Sequence, residues 1–345
     1  MLEIENLVTT VQTNCHISDA KYAGNYSLCV FLLKMREYYR WEKQIPLSHA
    51  LPKAEVGEWL SRREADWLDY ETRDVQPLPF TSREVDAFDN LAVNNLLNPL
   101  GYVYSGGYGV FGKPIFFIGE LAAMCNVEGL QVYITHKELA RDLVAPPAMI
   151  INEQIFIRKE YLRRFIWEKI EEWRWKSDNE TPMARALGYY QKSGNEVEHI
   201  LDAMVENESC SVLLHEVGEA KATDLLGPEW REIISLLPHS GLELKLRAVK
   251  DHLADTISTL PGLLEAENLP AIHFYFANFT GMRKEIFPEA LTAYNKWVSN
   301  HNPTVLEKLC SSGKNKWLEI AGNIKQTYLR DQSVVAEHFE PILNF

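Results

Sequence analysis

The side chains best placed to do chemistry stand in Ser211-Val212-Leu213-Leu214-His215-Glu216-Val217-Gly218-Glu219-Ala220. A histidine is followed at once by an acid, and a second acid comes four places after the histidine. Residues four apart lie on one face of a helix. His215 and Glu219 would therefore reach one ion together, with Glu216 beside them facing a bound water. The ion would acidify that water, and Glu216 would be the general base that takes its proton. Burying three such groups without partners is costly. A metal ion, or a cationic side chain from a neighbouring helix, would relieve the cost.

The stretch needs a helix to hold it, and the pattern supplies one. Val212-Leu213-Leu214 implies burial, Gly218 and Ala220 allow a close neighbour, and Gly227-Pro228 ends the run Ser211–Leu226. Upstream, residues 196–205 read as a separate helix, and downstream Leu242–Leu260 reads as another that stops at Pro261-Gly262. Leu291–Val298 and Trp317–Leu329 continue the helical texture to the end. Residues 1–75 are also helical, with Leu28, Phe31, Leu32, Met35, Tyr38 and Tyr39 at near-helical spacing and a second run after Pro52. Thr81-Ser82-Arg83-Glu84 has the form of a capping box opening a helix through Val85, Phe88, Leu91 and Leu96. Between 101 and 158 the texture changes. Gly101–Ile118 reads as a hairpin, and Val132-Tyr133-Ile134 and Ile155-Phe156-Ile157 read as strands. The glycines from Gly106 to Gly112 lack the Gly-Lys-Ser/Thr ending of a phosphate loop and are read as turn residues.

Composition narrows the function classes. The chain has 345 residues, 46% of them hydrophobic, and a net charge of −13. At roughly 100–200 residues per domain it should form two or three units. An acidic surface repels phosphate backbones, so no nucleic-acid partner is expected. No apolar run approaches the length of a membrane span, and the start lacks a secretory leader, so no membrane partner is expected either. Five scattered cysteines argue against a disulfide framework and for a reducing, cytoplasmic setting. His16 beside Cys15 lacks the paired spacing of a zinc site. Ser209-Cys210 shows no activated nucleophile.

Over about residues 130–290 the chain resembles the zincin metallopeptidases, in particular the gluzincin branch. The resemblance is carried by the His-Glu-x-x-Glu helix, the strand-like Ile155-Phe156-Ile157 ahead of it, and Asp251-His252-Leu253-Ala254-Asp255 behind it. It implies His215, Glu219 and Asp251 as metal ligands, Glu216 as base, Asp255 as the acid that orients His215, and a peptide as the class of substrate. The chain departs from the family at Glu219, where a second histidine stands, and at Asp251, where glutamate stands. One imidazole and two carboxylates hold zinc less selectively and suit manganese or iron(II) better. The resemblance therefore leaves two outcomes, a metal-dependent hydrolase or a descendant without catalysis. Tyr275 and Arg283 are candidates to assist an oxyanion.

Two other readings stand beside it. Glu196-Val197-Glu198-His199 is a Glu-x-x-His motif of the kind used in helical di-metal oxidases, and with His215, Glu219, His252 and Asp255 it would make a two-metal site. His199, His215 and Asp255 also echo the HD phosphohydrolase pattern, with a short interval between the histidines. The non-enzyme reading is an interaction protein in which these polar residues form a buried network. The expected fold is α+β and mostly α-helical, with a small central mixed β-sheet and helical N- and C-terminal parts. Its expected parts are 1–98 (helical), 99–160 (β-rich) and 161–345 (helical, bearing the site), with 99–290 as one zincin-like unit under the resemblance.

Overall fold

The computed structural model describes residues 4–343, apart from 82, 110–111, 145, 177–179, 191–196, 238–239, 331–337 and 340. The protein is α+β and mostly helical, with a small mixed sheet. It divides into two compact units. One comprises residues 1–126 with 131–165, and the other 127–130 with 166–345. The stretches 1–98 and 99–160 thus share one unit. The residues 99–290 do not form one unit, since the sheet belongs to the first and the His215 helix to the second.

The first unit begins with three helices, α1 (Ile4–Tyr22), α2 (Leu28–Glu42) and α3 (Lys53–Tyr70). Met35, Tyr38 and Tyr39 of the expected stripe on α2 are buried, whereas Leu28 and Leu32 face outward. The helix expected from the Thr81 capping box is not there. A short antiparallel pair, β1 (Leu78–Phe80) and β2 (Arg83–Val85), takes its place. Helix α4 starts only at Asn90 and runs to Leu97, because Asp89 caps it by accepting from the Ala92 N–H at 3.0 Å. Ser82 lies outside the described residues.

The five-stranded sheet has the order β3-β4-β5-β7-β6, built from Tyr102–Tyr108, Pro114–Val127, Leu130–Arg141, Gln154–Arg158 and Ala148–Ile151. Strands β3 and β4 are the expected hairpin, antiparallel with Ser105 opposite Phe117. Strand β7 runs parallel to β5, with Tyr133 opposite Phe156, and antiparallel to β6. Tyr104, Phe116 and Ile118 pack with Leu7 and Val11 of α1, while Val103, Phe117, Tyr133 and Phe156 form a second cluster. This is the alternation a pleated strand imposes.

Helix α5 (Lys159–Lys176) spans the boundary between the units, and α6 (Pro182–Tyr190) follows. From residue 166 onward, every secondary-structure element among the described residues is helical. Its axis is α7 (Val197–Leu226), one helix of 30 residues where the sequence suggested two. No proline interrupts it, and its buried residues Leu201, Met204, Val205 and Glu208 recur at helical spacing until Gly227, at φ +75°, turns the chain away. Glu196 lies outside the described residues. After α8 (Pro228–Ser235), Ser240 caps α9 (Gly241–Ala254) by accepting from the Glu243 N–H at 3.1 Å. The helical path does not stop at Pro261. It passes through a π-helical turn, Asp255–Thr259, into α10 (Leu260–Glu265). The wider turn disrupts the regular carbonyl ladder just ahead of Pro261, which removes the usual penalty for its missing N–H. Helices α11 (Leu269–Ala277), α12 (Gly281–Ile286), α13 (Pro288–Asn300) and α14 (Thr304–Arg330) complete the unit. Leu246, Val249 and Leu253 of α9 and Trp317 of α14 are fully buried in its core. Each such aliphatic side chain contributes about 1.5–3 kcal/mol by burial. No helix among the described residues is long and apolar enough to cross a membrane.

Candidate metal centre

The site is built where α7 crosses α9 and the π turn. Gly218 makes that crossing possible. A Cβ there would lie 2.6 Å from the Ala254 carbonyl oxygen, so no larger residue fits without moving a helix. A cross-helix bond fixes the register, since the Ser258 hydroxyl donates to the Leu214 carbonyl at 2.7 Å.

This packing brings His215, Glu219 and Asp251 together. One ligand atom from each lies within 4.8 Å of the others, and all three residues are partly exposed. Asp255 is 1% exposed and takes four donors. His215 Nδ1 lies 2.9 Å from Oδ1, which also accepts from the Thr259 hydroxyl at 2.9 Å. The Tyr275 hydroxyl donates to Oδ2 at 3.0 Å, and Arg283 donates to the same oxygen. Burial alone would raise the Asp255 pKa, but Arg283 and His215 outweigh it and hold the carboxyl well below the usual carboxylate range. With Nδ1 committed to Asp255, His215 has Nε2 left to bind a ligand. Its side chain is 30% exposed.

The other acids are not so well matched. Lys250, from α9, pairs with Glu219 and keeps its pKa low against the effect of burial. Burial and the neighbouring Glu219 push Asp251 up to about 7. Glu216 is buried, and burial lifts it to about 7 despite His215 and Lys250, with Glu219 and Asp251 adding to the rise. His215 responds in the opposite sense. Burial disfavours its charge, but the hydrogen bond and charge of Asp255, with Glu216 and Asp251, carry its pKa up to about 10.

Of the residues expected to do chemistry, His215, Glu216, Glu219, Asp251 and Asp255 all gather here. Tyr275 and Arg283 gather too, but both are spent on Asp255 rather than open to an oxyanion. The di-metal and HD sets are not assembled. His199 precedes His215 by 16 residues on one unbroken helix, roughly 24 Å at 1.5 Å per residue. His252 is fully buried, stacked on Trp317 at 4.9 Å, and its Nε2 faces the Arg283 carbonyl at 3.1 Å. Burial and Arg283 lower its pKa to about 3. His273 is a core histidine against Tyr294 and Trp297. In the first unit, His16 packs against Arg63. Lys250 is the residue the sequence reading missed. The only signal for it was the need of a buried acid on α7 for a cation.

The chain matches both domain models of a family of unknown function (DUF6866). The N-terminal domain covers residues 6–158 and the C-terminal domain residues 163–344. The chain belongs to this family, and the whole candidate metal centre lies in its C-terminal domain. No curated protein and no solved structure matches it.

Proposed function

We propose that the C-terminal domain is a zincin-like, metal-dependent hydrolase. His215, Glu219 and Asp251 would hold a divalent ion, zinc first and manganese or iron(II) next. The observation that carries this reading is the convergence of those three groups beside an ionised, fourfold-bonded Asp255 on the histidine.

Charge supports it. With His215 neutral, as a ligand must be, Glu216, Glu219, Asp251 and Asp255 face, among the described residues, Lys250 and Arg283 as their cations. The cluster then falls two positive charges short, which is the charge of one dication. Without an ion the cluster takes up protons instead, on His215 and partly on Glu216 and Asp251. When bound, the ion would supply Lewis acidity toward a carbonyl or phosphoryl oxygen and a more acidic water. Glu216, buried beside the three ligands, would accept the proton. Asp255 would orient His215, and Thr259, Tyr275 and Arg283 would keep Asp255 in place. Peptides are the substrate class that the zincin resemblance implies.

The Lys250–Glu219 pair favours one rival, a non-catalytic polar network in which the ammonium is the resident cation. Metal titration separates the two. The hydrolase reading expects one zinc or manganese per chain after dialysis and titration, lost in His215→Ala and Asp251→Asn. Glu216→Gln should keep the metal while losing hydrolysis of a peptide and ester panel by a factor of about 100 or more. Absence of saturable binding at millimolar metal would leave the network reading standing.

A further inference from the structure

The first unit holds a cavity of about 860 Å³ among α1, α2, α3, the end of β5 and the start of α5. Its wall carries five cationic side chains, Arg40, Arg63, Lys137, Arg163 and Arg164. The carboxylates facing it are Glu42, Glu138 and Glu160. This is a basic interior in a protein of net charge −13.

Most of these charges have defined work. Arg40 pairs with Glu37 and donates to the carbonyls of Pro46 and His49 at 2.6 and 2.7 Å. Arg63 pairs with Glu42 and donates to the His16 ring, whose pKa burial and Arg63 together lower to about 3, so the ring is neutral. Glu138 is matched from behind by Arg158 at 2.6 Å. Burial and Glu138 push Glu160 up to about 7, which leaves little negative charge on that wall.

Arg164 is different. It is 5% exposed and lines the cavity, resting on the Tyr161 ring at 5.5 Å. It has no hydrogen-bond or ion-pair partner among the described residues. A guanidinium buried to that degree is a strong donor fork waiting for an anion, and its planar geometry matches carboxylate or phosphate in two parallel bonds. Tyr38, Trp41, Ile45 and Leu139 give the same cavity an apolar side.

We propose that this cavity is a binding site for a small organic anion, a carboxylate or phosphate ester with a flat apolar body, anchored by Arg164. The site is independent of the metal centre and of any activity there.

The test uses the full chain with benzoate and phenyl phosphate as probes, followed by calorimetry and tryptophan fluorescence. Saturable 1:1 binding of either probe is expected, and the preferred probe tells carboxylate from phosphate. Arg164→Gln should weaken that binding tenfold or more, as loss of a charged hydrogen-bond donor does. Arg164→Lys should restore only part of it. At pH 8.5, where Glu160 is ionised, Glu160→Gln keeps the acceptor for the Glu138 N–H, at 2.6 Å in the wild type, while removing a negative charge. It should tighten binding severalfold, and it serves where the Arg164 variants do not fold. Failure of both probes to bind at 10 mM, an unchanged affinity in folded Arg164→Gln, or an unchanged affinity in Glu160→Gln would each overturn the proposal.

Discussion

Both units bury charge, but they do so in different ways. In the first, Lys113 reaches Asp19 at 2.5 Å and Arg158 reaches Glu138 at 2.6 Å, with all four side chains sealed from solvent. Asp142 and Arg141 lie in the same interior, so the acids Asp19, Asp142 and Glu138 face an equal number of bases. One oxygen each of Asp19 and Asp142 takes a backbone donor, Leu143 N on Asp19 and Phe116 N on Asp142, both at 2.8 Å. In the second unit the acids outnumber the bases and the cluster is partly open. A balanced, sealed set ties strands and helices together. The unbalanced, partly open set leaves acids without a matching base, and the proposed cation site rests on that excess.

Breaking the balanced set should have the largest effect. Lys113→Met leaves Asp19 facing Asp142 with no cation between them and should cost about 3–5 kcal/mol in a urea titration. Adding Asp19→Leu should recover much of it. Next comes Glu208, a buried acid on α7 held by Asn207 with no basic partner among the described residues. Burial lifts its pKa from 4.5 to about 7. Its folded-state value lies above the unfolded one, so its contribution to stability is complete below about 4.5 and is lost as pH rises through 7. Glu208→Gln should therefore gain on the order of 3 kcal/mol at pH 8 and nothing at pH 4, read from melting at the two pH values.

Gly218→Ala tests the crossing that assembles the unbalanced set. The added methyl meets the Ala254 carbonyl, so a loss of about 1–3 kcal/mol is expected, together with weaker metal binding as Asp251 moves from His215. Lys250→Met should have the smallest effect on stability, under about 1 kcal/mol, because its pair with Glu219 is partly exposed. The same change should raise dication affinity about tenfold by removing the competing charge. A fall in affinity would mean that Lys250 supports the site rather than fills it.

Much of this was legible in the sequence, for identifiable reasons. His215 and Glu219 stand one turn apart on any helix, and the spacing of Asp251 and Asp255 likewise survives folding. The hairpin through Gly106 and the strands at Val132 and Ile155 carried their own β-branched and aromatic pattern. Long-range matters were not legible. The Thr81 box lost to pairing of Phe80 with Arg83, a tertiary preference over a local one. Pro261 looked like a stop because nothing local announces a π turn. Lys250 and Arg164 drew no notice because a single basic residue acquires meaning only from what the fold places around it.

That π turn, Asp255–Thr259, also constrains how the protein could change. It amounts to one residue more than a regular helix would use, and each residue of helix carries a rotation of about 100°. Deleting a single residue there would swing everything beyond it to a new heading, so that Tyr275 and Arg283 would no longer meet Asp255. The domain should therefore tolerate insertions and deletions in its surface loops far better than a change of even one residue in this internal segment, and a bundle rebuilt from straight helices would lose the site while keeping every one of its side chains.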